Sequence, residues 1–221
     1  MGAGLADGVH PAKCNVIRIT RKHSRVTFPY TLHGHILEEV SSAKYLGVTI
    51  SNDMRWNKHI DNTSSKANKK LGFLKRNLKV RDSKLKETAY KAIVRPSLEY
   101  CSSVWDPHSK QSAETLEKVQ RRAARWATGR YHNTSSVTNM LSDLGWKELA
   151  QRRTCSRLTM LFKITRGFVD IPMGHYVKFQ RDGVHIQQIL ARREYYQYSF
   201  FPRTVTEWND LPRNCLQVQT I

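Results

Sequence analysis

The sequence predicts an α+β protein in which a small N-terminal antiparallel β-hairpin region precedes a mainly α-helical bundle, on three observations. Up to Ile50 the apolar residues come in short β-branched runs between turn-forming stretches; from Trp56 they recur at intervals of three and four; and Gly or Pro closes the helical stretches after the first. In the first region Val16, Arg18 and Thr20 alternate with Ile17 and Ile19. Residues 28–36 form a second run with Gly34 at a turn, and residues 44–50 a third. His33 and His35 fall on the same side of that second run. Three or four such strands are too few to cover a sheet unaided.

The helical region opens after Ser51, Asn52 and Asp53, which are cap-forming residues, with Ile60, Ala67, Leu71, Leu74 and Leu78 on one stripe. A second helix starts after Asp82 or Ser83 and carries Leu85, Ala89, Ala92 and Ile93, and Pro96 should kink it or end it near Arg95. Asp106-Pro107 marks a loop. A third helix places Leu116, Val119, Ala123 and Trp126 on one face and stops at Gly129; a short fourth, around Val137 to Leu144, stops at Gly145. The fifth runs from about Trp146 to Arg166 with Gly167 as its cap. Periodicity is weak after Pro172, and a last short helix from Pro202 carries Val205 and Trp208. The division this implies is 1–52 (β region), 53–168 (helical domain) and 169–221, an irregular extension with a short terminal helix.

The chain has 221 residues, and 37 Lys and Arg against 18 Asp and Glu give a formal charge of +19. Such an excess calls for an anionic partner. A hydrophobic content of 39% supports a real core, and no apolar stretch approaches the length of a membrane span. With no signal-like N-terminus either, the expectation is an intracellular protein, nuclear or cytoplasmic. Cys14, Cys101, Cys155 and Cys215 lack metal-ligand or disulfide-framework spacing and read as small hydrophobes.

On a helical wheel of the third helix, Lys118, Arg121 and Arg125 lie opposite the apolar stripe with Arg122 on its flank. Glu114 with Lys118 and Glu117 with Arg121 are favourable i,i+4 pairs, so part of this face reads as an ordinary solvated surface. Arg122 and Arg125 have no such partner. In the fifth helix Arg152 lies off the apolar arc, while Arg153 and Arg157 form a like-charged i,i+4 pair better explained by phosphate than by water. The first helix adds Lys69 and Arg76, with Phe73 among them, either interleaved for stacking or packed on a neighbouring helix. These faces could follow a nucleic-acid backbone without reading sequence. They lack the wide apolar face of a membrane-surface helix.

Catalytic patterns are missing. There is no Asp-Asp pair, and Glu38-Glu39, the one adjacent acidic pair, sits in an expected hairpin connection. No phosphate-binding glycine loop and no nucleophile elbow occurs.

The blocks at 13–20, 30–34 and 42–50, then 56–60, 71–78, 94–100, 104–107, 119–125, 199–203 and 207–212, resemble in order the last part of a LINE-type, non-LTR retrotransposon reverse transcriptase of the jockey/CR1-like kind. The resemblance implies that residues 13–20 end the palm, that 44–48 form the primer-grip hairpin in which Tyr45, Leu46 and Gly47 position the primer terminus, and that the helices from Trp56 are the thumb and its C-terminal extension. Tyr45 and Leu46 could equally pack on the first helix of an ordinary hairpin. The Y-x-D-D aspartates that hold Mg²⁺ in that family, and its endonuclease, would lie upstream; Asp7 precedes the matching region and is no substitute. The resemblance therefore implies a chain that is not an enzyme by itself and carries no cofactor. Its implied partner is an RNA–DNA or DNA duplex held without regard to sequence, together with the missing upstream polymerase region. A split active polymerase and a domesticated protein-interaction module are the rival readings.

Overall fold

The computed structural model describes residues 10–216 except 21, 23, 25, 26, 133 and 175, so Asp7 lies outside the described residues. The fold is α+β, as the sequence predicts, and the chain divides into two compact units, residues 1–59 and 60–221.

In the first unit β2 (Thr31–Leu32) and β3 (His35–Ile36) form one antiparallel hairpin, and β5 (Ser42–Tyr45) and β6 (Val48–Ser51) another. Both turns have two central residues at positive φ, His33-Gly34 and Leu46-Gly47, the geometry that matches the twist of the flanking strands. His33 is therefore a turn residue and does not share a strand face with His35. The third pairing departs from the predicted antiparallel arrangement, since β1 (Asn15–Val16) runs parallel to β4 (Glu38–Glu39). A parallel pair needs a long connection, and the β2–β3 hairpin lies within it. The expected hairpin connection at Glu38-Glu39 is thus a strand. Its acid is held by the Arg18 guanidinium, whose Nε and Nη2 donate to the Glu39 carboxylate at 2.8–3.2 Å.

The β5–β6 hairpin is held at Thr49, one pair from its turn, by His59, near the start of α1 (Asn57–Asn77). The buried Nδ1 of His59 accepts the Thr49 backbone N–H at 3.1 Å, and the Trp56 ring meets the imidazole edge-on at 6.4 Å.

In the second unit Ile60, Ala67, Leu71 and Leu74 of α1 are buried on one stripe. Then come α2 (Ser83–Ala89), capped by the Asp82 carboxylate accepting from Lys84 N–H, and a π-helical turn over Tyr90–Val94 that leads into α3 (Arg95–Glu99). Pro96 does not end the helical run near Arg95, one of the two outcomes expected of it. It sits in the first turn of α3, where its missing N–H costs little, and the π turn takes up the change of register as Arg95 N–H reaches back to Tyr90 O. The short α4 (Ser102–Trp105) precedes α5 (Lys110–Thr128), α6 (Val137–Asp143) and α7 (Leu149–Thr165). Gly129, Gly145 and Gly167 all adopt the positive φ expected where a helix is closed. Trp146 lies outside α7, buried and stacked on Tyr90 with centroids 4.4 Å apart.

The C-terminal part forms its own layer on α7. Its helices are α8 (Glu194–Gln197), α9 (Phe200–Asn209) and α10 (Arg213–Leu216), where the sequence predicts one short helix. Leu161 and Phe162 of α7 pack with Val177, Ile186, Val205, Trp208 and Leu216 in one apolar cluster. The irregular segment is fixed by side chains: Asn209 both accepts from Ile186 N–H and donates to Ile186 O, and Trp208 Nε1 donates to Val184 O.

Burial lowers the His59 pKa below its ordinary 6.5, and the neutral ring is the form that accepts from Thr49. The unfolded chain then binds the extra proton first. Stability of the first unit is full above pH 6.5 and is lost as pH falls through 6.5 toward the depressed folded value. Denaturant midpoints of the Val48 and Thr49 methyl NMR signals should fall between pH 7.5 and pH 5. His59→Asn, which keeps an acceptor but no titrating ring, should flatten that dependence.

Candidate nucleic-acid interface

With Ala67, Leu71 and Leu74 turned inward, α1 carries Asn68, Lys69, Gly72, Phe73, Lys75 and Arg76 on its remaining surface. Lys69 and Arg76 are exposed, as predicted. Phe73 is 55% exposed, so its ring is not buried against a neighbouring helix. Lys70 is taken up internally: its ammonium donates to Ser97 Oγ at 2.6 Å and to Ile93 O at 3.2 Å, beside the π turn.

On α5 the stripe of Leu116, Val119, Ala123 and Trp126 is buried, and Ser109 caps the helix by accepting from Ser112 N–H. The flank residue Arg122 reaches α1, its Nη1 donating to Asn68 Oδ1 at 3.0 Å. The Lys75 ammonium lies close enough to feel it. Burial first, and then the Arg122 charge, hold the Lys75 pKa below the ordinary lysine value. Lys75 is the functional candidate that sequence reasoning missed, since a helical wheel of α1 alone does not show which cation meets α5. Arg125 is half-buried on the same helix, and Arg121 is paired with Glu114 at 3.5 Å.

Two expectations about charge are corrected. Glu117 does not make a solvated pair with Arg121: it is buried, accepts from Gln120 Nε2 at 2.8 Å and from Leu149 N–H at 2.9 Å at the start of α7, and burial raises its pKa. Arg153 and Arg157 are not open to phosphate, each being only 1% exposed. Arg153 Nε donates to Asp106 Oδ1 at 2.5 Å, and Arg157 meets both Asp106 and Glu207. Arg203 of α9 completes the group, with Nη1 at 3.3 Å from Asp106 Oδ2 and Nε at 3.5 Å from Glu207 Oε1. Their like charges sit side by side because one buried carboxylate lies between them. Burial pushes the Arg153 guanidinium down to about 10, which leaves it charged at neutral pH. Arg152 is also engaged, in a forked pair with Glu99.

In the first unit the hairpin tip presents Tyr45 and Leu46 at 66% and 73% exposure, with Gly47 also exposed, so the two side chains are not buried as an ordinary packed hairpin would have them. Leu46 holds a left-handed backbone (φ 45°) that costs a non-glycine residue about 1–2 kcal/mol. Among the described residues there is no group of three or more His, Cys, Asp or Glu side chains that could hold a metal ion. No helix of the described residues is long and apolar enough to cross a membrane.

A Drosophila melanogaster protein described as "Probable RNA-directed DNA polymerase from transposon BS" is 29% identical to this chain over 108 residues. The match covers 48% of this chain and 12% of that protein. Over that stretch the chain is related to a transposon reverse transcriptase. No family model matches the chain, and no solved structure matches it.

Asp106→Ala should leave three buried or half-buried arginines without their shared acceptor and destabilise the second unit by about 3–5 kcal/mol. Urea unfolding followed by far-UV circular dichroism measures the loss. Limited trypsinolysis should show new cleavage at Arg192 and Arg193 as the C-terminal layer detaches from α7.

Proposed function

We propose that this chain is the palm-end, primer-grip and thumb portion of a LINE-type, jockey/CR1-like retrotransposon RNA-directed DNA polymerase. In this reading it is catalytically incomplete by itself and holds a nucleic-acid duplex by its backbone. The observation that carries the reading is the contact of Arg122 of α5 with Asn68 of α1, which brings Arg122, with Arg125 on the same helix, to the surface that carries the exposed Lys69, Lys75 and Arg76. Like charges brought together at a surface raise the free energy of the protein alone, and a polyanion relieves that repulsion while releasing its counterions. The similarity to a transposon RNA-directed DNA polymerase supports an RNA–DNA or DNA duplex as that polyanion. The contacts are to phosphate, so binding tolerates any sequence. Tyr45, Leu46 and Gly47, at the tip of an exposed hairpin, are the groups that would meet a primer end.

A second reading is favoured by the first unit. Ile19, Phe28, Tyr30 and Ile36 are exposed beside strands of only two residues, which is what a sheet looks like when further strands belong on it. Association with a separate upstream polymerase segment would cover them. Co-expression with a polypeptide ending in the Y-x-D-D strands, followed by co-purification and primer extension, tests it; two polypeptides that do not associate would sink it.

For the first reading, the affinity of the full chain for a labelled RNA–DNA duplex should drop by roughly a hundredfold between about 50 and 200 mM salt, as for about four phosphate contacts. Arg122→Glu with Arg125→Glu should weaken binding and flatten that salt slope, measured by fluorescence anisotropy. A folded sample that does not bind at low salt overturns the proposal.

A further inference from the structure

Gly72 stands in the interior of α1, a 21-residue helix, although glycine is the poorest helix former after proline. Its φ is not positive and no turn requires it, so the backbone gives no reason for its presence. What a side chain here would meet does give one. A Cβ built on Gly72 would lie 3.3 Å from Arg76 Nη1, one helical turn on, and touches nothing else outside the helix backbone. The missing side chain thus lets the Arg76 guanidinium lie down along the helix. One turn earlier, Asn68 uses its Oδ1 to hold Arg122, which leaves its amide N–H groups for another acceptor. Lys75, beside Arg76, is the ammonium that feels the Arg122 charge.

We propose that Asn68, Gly72, Lys75, Arg76 and Arg122 form a preorganised cradle for a single phosphate group, and that Gly72 is its positioning residue, acting through Arg76. This rests on the duplex-binding reading above and narrows it, from a diffuse basic face to one backbone phosphate seated over Gly72. A flat-lying guanidinium presents a planar fork to two phosphate oxygens, and neighbouring lysine and arginine charges supply the rest.

The test is a double-mutant cycle on the full chain with the labelled RNA–DNA duplex, joined to a phosphate titration. Gly72→Ala should raise the melting temperature of the second unit, because alanine favours helix, and yet weaken duplex binding about threefold. Gly72→Leu and Arg76→Ala should each weaken it about tenfold, and the double variant should be no worse than Arg76→Ala alone, since the two act through the same guanidinium. Gly72→Leu binding within twofold of the parent, or losses that add in the double variant, would overturn the proposal. Inorganic phosphate, titrated against chloride at constant ionic strength, should shift the Nε–Hε NMR signals of Arg76 and Arg122 in the parent and not in Gly72→Leu. Shifts with phosphate but no duplex binding would keep the cradle and reject the duplex reading. Duplex binding with no phosphate shift would keep the duplex reading and reject the cradle.

Discussion

The arrangement of the second unit depends on one buried carboxylate. Asp106 lies between Arg153 and Arg157 of α7 and Arg203 of α9, with Glu207 sharing two of them. A charge taken out of water is costly, and so is each guanidinium; only the mutual geometry offsets those costs. That geometry fixes the end of α4, one face of α7 and the start of α9 at the same time. The apolar cluster of Leu161, Phe162, Val205 and Trp208 adds burial energy, yet apolar contacts alone would tolerate a slide or rotation of α9. The ionic group resists such a slide, because a displaced carboxylate would add further unpartnered guanidinium nitrogens to Arg153 Nη1 and Arg157 Nε and Nη1, which are already buried without a hydrogen-bond partner.

The same group divides the protein's positive charge into two classes. Arg153 and Arg157 serve the interior, Lys70 ties α1 to the π turn, Arg152 belongs to Glu99, and Arg18 belongs to Glu39. Those cations contribute to the formal total but not to the field that a polyanion would meet. Where Arg122 of α5 reaches Asn68 of α1, the exposed Lys75 and Arg76 stand on the same surface, and the Arg122 charge helps to lower the Lys75 pKa. The contrast between cations that have an acid and those set against each other makes this surface the better candidate for a binding face than the net charge does.

Much of the fold was legible because it rests on local rules. The apolar spacing of α1, α5 and α7 gave the helices, and Gly129, Gly145 and Gly167 gave their ends through a conformation that glycine reaches at no steric cost. What was not legible depends on contacts distant in sequence. Parallel pairing of β1 with β4 joins Asn15 to Glu38, 23 residues on, beside an Arg18–Glu39 contact, and the burial of Arg157 depends on Glu207, 50 residues away. A like-charged i,i+4 pair looks the same in one dimension whether its counterion is a phosphate or an internal acid. Glu117 misled in a similar way, since its proper partner is the backbone N–H of Leu149 rather than the nearby Arg121. Lys75 became a candidate only when α5 supplied the neighbour that perturbs it.

A network that shares one acid among several bases has a consequence for how such a sequence can drift. Losing Asp106 while the arginines remain leaves surplus positive charge in a dry interior, and losing one arginine leaves the others to divide the acid differently. No member has an independently neutral path of change, so these positions are constrained to alter together or not at all.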